Sequence, residues 1–246
     1  MMEEAISNYL ARTGFETFCP RAVLFDMDGV CYDSMPYHAV AWQQSMARYG
    51  LTMTADDAYA TEGARGIDTV RELVRRERGE VISMEEAQAM YDLKSRLFHA
   101  MKPQPPVMPG VLGLMAQIHS SGLHTGIVTG SGQRPLIARL LSDFGQYITE
   151  DHIVTAYDVE RGKPAPDPYL MGLKKMGDLS PWQAMVVENA PLGVAAGVAA
   201  RCFTIAVNTG PLPDEALTGQ GADLLFSSMT ALSKSWKNLL GSVINR

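Results

Sequence analysis

Cysteine is scarce. Cys19, Cys31 and Cys202 are the only three in 246 residues, an odd number without metal-ligand spacing. That excludes a disulfide scaffold and a structural zinc site, makes the three expected packing residues, and implies a reducing, cytoplasmic compartment. Long apolar runs are missing as well: no stretch of about 18 such residues occurs, so no membrane-spanning helix is expected. The first residues, MMEEAISNYLARTG, are acidic and lack a signal-peptide core, which leaves residues 1–20 as a short amphipathic extension. Positive charge is in deficit, with 21 Lys and Arg against 27 Asp and Glu and a net charge of −6. Neither nucleic acid nor an anionic membrane is an expected partner, and an acidic chain that handles an anion needs a local cation to do so. No internal repeat or low-complexity segment stands out. What remains is an ordinary globular composition, 46% apolar and 20% charged, long enough for one large domain or one domain with an insert.

The rest of the chain is organised around RAVLFDMDGV, residues 21–30. Ala22, Val23, Leu24 and Phe25 make an apolar run suited to a strand buried on both faces. It ends abruptly in Asp26-Met27-Asp28-Gly29. In open α/β sheets ligands bind at the carboxyl ends of strands, so two carboxylates delivered there suggest a site. Taken alone, the segment reads equally well as a strand followed by an acidic turn. A calcium loop fails, because Val30 stands where an oxygen ligand is needed and a strand precedes the loop instead of a helix.

After that strand the periodicity is helical from Ser34 or Pro36, which can start a helix that Gly50 ends, to about residue 101. Thr54 and Asp56 can cap a short helix, 68–78 reads as another, and Ser83-Met84-Glu85-Glu86 is a capping box. The run KPQPPVMPG then breaks the chain. Beyond it short β runs at 123–129, 153–155, 184–187, 202–207 and 223–226 alternate with helical segments near 133–144, 166–177, 191–200 and 229–240. This predicts an α/β fold with a doubly wound parallel sheet and right-handed crossovers. The expected organisation is an extension over 1–20, a core over 21–33 and 108–246, and a small helical cap over 34–107, placed to cover the site.

Each later strand ends in polar groups. Thr129-Gly130-Ser131-Gly132 offers hydroxyls and backbone N–H groups to phosphoryl oxygens, Lys163 lies in a proline-stiffened loop, and Glu188-Asn189 gives two oxygen-bearing side chains that suit a hard cation. The order Asp26-x-Asp28, Thr129, Lys163, Glu188-Asn189 resembles the four motifs of the haloacid dehalogenase superfamily. Within it, Asp33-Ser34-x-x-Tyr37-His38-x-x-x-Trp42 and Lys163-Pro164-Ala165-Pro166-Asp167 resemble the β-phosphoglucomutase-like group. The resemblance implies that Asp26 is a nucleophile forming an aspartyl-phosphate and Asp28 the general acid and base. It also implies that Thr129 and Lys163 hold the phosphoryl group with help from Gly130 and Ser131. Magnesium would lie on Asp26, the Asp28 carbonyl, Glu188 and Asn189.

The superfamily usually carries a second carboxylate where this chain has Asn189. The loop Thr61-Glu62-Gly63-Ala64-Arg65-Gly66 supplies a candidate replacement, and Glu62 is expected to reach the metal or its waters when the cap closes. So tight a cap leaves little volume for a sugar. With VTGSGQ, YLMGLKK and ENAPLGV, the Glu62 and Asn189 pairing resembles the bacterial inorganic pyrophosphatases of this superfamily. The first expectation is therefore a magnesium-dependent pyrophosphatase, monomeric by default, with Arg65, His38 and Lys94 holding the leaving phosphate. The alternatives are a sugar-phosphate phosphatase and a β-phosphoglucomutase-type mutase. Against the mutase, Gly66 stands where mutases tend to carry the cap-loop arginine. A non-catalytic binding protein on the same scaffold is disfavoured by the intact Asp26, Asp28, Thr129 and Lys163.

Overall fold

Four apolar residues in a row with no polar alternate must be covered on both faces. The computed structural model, which describes residues 2–131 and 134–244, places them accordingly. Helix α1 (Met2–Thr13) precedes β1 (Ala22–Phe25), every residue of which is buried. Four helices follow without an intervening strand: α2 (Met35–Ala47), α3 (Ala55–Ala60), α4 (Gly66–Arg78) and α5 (Met84–Ala100). Then come α6 (Val111–Ser120), β2 (His124–Val128), α7 (Arg134–Phe144), β3 (Ile153–Val154), α8 (Asp167–Lys175), β4 (Ala184–Glu188), α9 (Pro191–Ala199), β5 (Phe203–Val207), α10 (Asp214–Thr218), β6 (Leu224–Phe226) and α11 (Met229–Ile244). All strand pairs are parallel, in the order β3-β2-β1-β4-β5-β6. This is the expected doubly wound α/β sheet. The chain steps from β1 outward through β2 and β3, then returns to lay β4 on the other side of β1. The reversal puts a crevice at the carboxyl ends of β1 and β4, where such folds bind ligands.

The sheet is packed on both faces, by Phe25, Leu114, Phe144, Phe203 and Trp236 on one and by Leu24, Val128, Tyr169, Leu173 and Val186 on the other. The four inserted helices have their own core, in which Trp42, Met46, Leu73, Val74 and Met90 meet. Two of their starts are the expected caps: the Thr54 hydroxyl accepts from Asp57 N and the Ser83 hydroxyl from Glu86 N, each with the reciprocal carboxylate bond. Such boxes contribute about 1 kcal/mol each.

The amphipathic extension over residues 1–20 packs on the sheet domain, with Ile6 and Tyr9 buried in the core that holds Phe18 and Phe203 and Arg12 Nη2 donating to both Asp223 oxygens. Three expectations need correction. Helices α6 and α10 stand where no element is expected. The first carries Val111, Leu114, Met115 and Ile118 at helical spacing but directly follows the proline-rich break, and the second is only five residues long. Cys19 is exposed, while Cys31 and Cys202 pack as expected. Helix α4 starts at Gly66, two residues earlier than the charged Asp68 suggests.

Candidate active site

Asp26 follows β1 directly, with its backbone N–H still bonded to Val187 of β4, so the sheet itself sets its position. Its carboxylate accepts a hydrogen bond from the Lys163 ammonium. Lys163 is almost fully buried; it also donates to Glu188 Oε1 at 2.6 Å and to the Val128 carbonyl at 3.2 Å. Three strand ends thus converge on one lysine. Burial opposes its charge, but the Asp26 and Glu188 carboxylates outweigh that and raise its pKa, so it stays an ammonium. Asp26 is raised to about 8, first by burial and then by Glu188 and Asp28, against the pull of Lys163.

Glu188 is fully buried, and each of its oxygens has two donors. Lys163 and the Tyr169 hydroxyl (2.7 Å) serve Oε1, while the backbone N–H groups of Asn189 (3.0 Å) and Ala190 (3.3 Å) serve Oε2. Helix α9 can approach this carboxylate only because Gly193 has no side chain: a Cβ there would lie 1.8 Å from Oε1. Thr129, also buried, accepts from Ser131 N at 3.1 Å. Gly130 and Ser131 line the pocket above, and Gly132 lies outside the described residues.

Asp28 belongs to a second network. The Ser34 hydroxyl stands at the start of α2 but does not cap it; instead it donates to Asp28 Oδ1 at 2.6 Å, and His38 Nε2 meets the same oxygen at 3.0 Å. On the far side of the ring, Lys94 lies 2.6 Å from His38 Nδ1. A carboxylate can only accept and an ammonium only donate, so these partners define a neutral His38 protonated on Nε2. Burial and Lys94 hold His38 below the usual histidine range. Burial favours a neutral Asp28, but His38 and Ser34 outweigh it and hold the carboxyl down at about 2. Burial depresses Lys94 to about 8. The His38 ring stacks on Phe98 at 4.0 Å, and the Lys94 ammonium sits 5.0 Å from the Trp42 ring centre.

The insert meets the sheet domain at Glu62. Its Oε1 accepts from Asn189 Nδ2 at 2.8 Å, and burial together with the neighbouring carboxylates raises its pKa well above the usual range. Gly29, at φ +75°, makes room for this contact, since a Cβ would lie 2.0 Å from Asn189 Nδ2. Asn189 Oδ1 is left buried with no hydrogen-bond partner. Orphaned buried acceptors are rare, so this oxygen is unfinished without a ligand. Four carboxyl groups, Asp26, Asp28, Glu62 and Glu188, face only two ammonium groups, Lys94 and Lys163. No three His, Cys, Asp or Glu side chains among the described residues form a ready cation cage. Even so, an amide oxygen beside excess carboxylate suits a hard divalent cation such as magnesium, which keeps several waters.

The space between insert and sheet is an open-mouthed pocket with a free volume of about 80 Å³, which Asp26, Asp28, His38, Trp42, Glu62, Lys94, Phe98, Gly130 and Ser131 help to line. Arg65 is not in the pocket wall. Its guanidinium crosses to the Glu160 carbonyl at 2.5 Å and pairs with Asp68 at 2.8 Å, so it bridges the insert to the loop that carries Lys163. Ser34 and Tyr169 are the contributors the sequence did not single out for the site. A hydroxyl two residues before a cap-helix proline and a tyrosine one turn past the lysine loop give only faint signals.

A family model for haloacid dehalogenase-like hydrolases matches residues 20–201. Hexitol phosphatase A of Escherichia coli (strain K12) is 34% identical over 76% of this chain and 83% of its own length. Beta-phosphoglucomutase of Bacillus subtilis (strain 168) is 25% identical over 88% and 96%. A Bacteroides vulgatus structure solved under a provisional beta-phosphoglucomutase name is 48% identical, covers 98% of both chains and superposes with a TM-score of 0.94.

Proposed function

Since the chain belongs to the haloacid dehalogenase-like hydrolases, we propose that it is a divalent-cation-dependent phosphatase of small phosphorylated sugars or polyols, working through an aspartyl-phosphate on Asp26. The single observation that carries this is the Asp26 carboxylate, buried at the end of β1, bonded to Lys163 and open to the pocket. Asp26 attacks phosphorus while Lys163, Thr129 and the backbone around Gly130 and Ser131 hold the phosphoryl oxygens. Asp28 hands a proton to the leaving oxygen and later takes one from the water that hydrolyses the acyl phosphate. The acid half of that cycle requires Asp28 to be protonated first, and a bound phosphoryl dianion beside it raises its affinity for the proton. Asp26, the Asp28 carbonyl and Asn189 Oδ1 would hold the cation, which supplies charge neutralisation on the phosphate. Glu62 holds the Asn189 amide nitrogen, which leaves the Asn189 oxygen without a competing partner.

Relatives named for hexitol phosphate and for phosphoglucose chemistry support the sugar-phosphate class over the pyrophosphate expected from the cap-loop pairing. The aromatic rings of Trp42 and Phe98 in the pocket wall suit the apolar face of a sugar. Pyrophosphate remains the second reading on one observation: Asp28 at about 2 makes a poor acid in the resting site, and a phosphate leaving group needs an acid less than an alkoxide does. Lys94 would then meet the leaving phosphate. A phosphate-release panel with magnesium, covering hexitol phosphates, hexose phosphates and pyrophosphate, decides between them. Preference for the polyol and hexose phosphates supports the first reading, preference for pyrophosphate the second, and release from none refutes both.

A further inference from the structure

We propose that Tyr169, on α8 and outside the four strand-end motifs, is a positioning residue that commits Glu188 to Lys163 and keeps that carboxylate off the divalent cation. The cation is thereby left to Asp26 and Asn189. This rests on the phosphohydrolase reading above.

Glu188 and Asn189 are adjacent at the end of β4 and differ in how they are satisfied. Glu188 has two donors on each oxygen, one of them the Tyr169 hydroxyl at 2.7 Å. Asn189 has its amide N–H bonded to Glu62 and its carbonyl oxygen bonded to nothing. A carboxylate with every lone pair answered has no reason to turn towards a cation, whereas an orphaned buried oxygen does. Without the hydroxyl, Oε1 would keep Lys163 alone. The rest of the Tyr169 side chain is ordinary packing: it is fully buried with Leu24, Val128 and Leu173, and its ring lies 5.1 Å from the Lys163 ammonium. Phenylalanine would fill the same space, so the hydroxyl is there for the bond it makes. A donor on the anion that anchors Lys163 acts on the phosphoryl group at one remove, by holding the ammonium where it meets Asp26.

The test is Tyr169→Phe with two readouts. Manganese titration of the substrate-free protein, followed by electron paramagnetic resonance, should show cation affinity rising about threefold, because a less neutralised Glu188 adds negative charge beside the site. Turnover of whichever substrate the panel selects should fall about tenfold in kcat with little change in KM, as expected for one charge-assisted hydrogen bond lost from the machinery. In a Glu188→Gln background the same substitution should change kcat no further, since Tyr169 acts only through that carboxylate. Unchanged affinity and kcat would make Tyr169 a packing residue and overturn the proposal. So would weakened manganese binding, which would make Glu188 a ligand that Tyr169 supports, or an equal kcat loss in both backgrounds. The manganese arm needs no turnover, so a protein that hydrolyses nothing refutes the phosphatase reading while this proposal is still tested.

Discussion

Lys94→Met should stabilise the protein while disabling it. The ammonium is buried beside His38, Trp42 and Phe98, and burial brings its pKa from the ordinary 10.5 down to about 8. Because the folded state holds this proton less tightly than the unfolded chain, the charge costs stability in full below pH 8, and the cost fades as pH climbs towards 10.5. At 1.36 kcal/mol per unit the penalty is about 3 kcal/mol at pH 7 and about 1.4 kcal/mol at pH 9.5. Methionine keeps the bulk and removes the charge but leaves His38 Nδ1 without its donor, which costs about 1 kcal/mol. The variant should therefore unfold in urea about 2 kcal/mol later than wild type at pH 7, with a melting temperature about 5 °C higher, and nearly level with it at pH 9.5. Trp42 fluorescence reports the transition, since its ring faces the substituted position. Over the same comparison kcat/KM should fall at least about tenfold, because the pocket loses one of its two ammonium groups. A variant less stable than wild type at pH 7, or a stability gap that ignores pH, would refute the reasoning.

Asp28→Asn should lower kcat by about 10²–10⁴-fold through lost proton transfer, checked by steady-state phosphate release. Asn189→Asp would set a carboxylate against Glu62, where an N–H donor now lies at 2.8 Å. It should raise KM by opening the insert, and adding Glu62→Gln should bring KM back. Arg65→Ala breaks the bridge to the Glu160 carbonyl and should raise KM severalfold with kcat nearly unchanged, whereas an arginine that held substrate would carry kcat down as well.

The sheet and the convergence on Asp26 were legible because burial on both faces leaves a plain record: apolar runs such as AVLF and AMVV, each ending in one polar residue. The capping box at Ser83 and the cap at Thr54 were legible because the partners of each lie within four residues, although the Thr54 box closes on Asp57 and not Asp56. The contacts that finish the site span the chain instead. Glu62 meets Asn189 across 127 residues and depends on how the insert sits on the sheet, while Lys163 meets Asp26 across 137 and depends on how the strands are ordered in it. Arg65 carries the same charge whether it faces substrate or a backbone carbonyl, and periodicity cannot tell the two apart. Tyr169 reads as one more apolar position of α8 because its ring is in the core and only its hydroxyl serves the site. Helix α6 had its signal, Val111, Leu114, Met115 and Ile118 at helical spacing, but only over ten residues and directly after the proline-rich break.

The central claim is that the Asp26 carboxylate becomes the phosphate carrier. Soaking crystals with beryllofluoride and magnesium measures this most directly: the account predicts an adduct on an Asp26 oxygen within reach of Lys163, absent from Asp26→Asn, which should also release no phosphate. An adduct on Asp28 or Glu62, or none on wild-type protein that still hydrolyses its substrate, would contradict it.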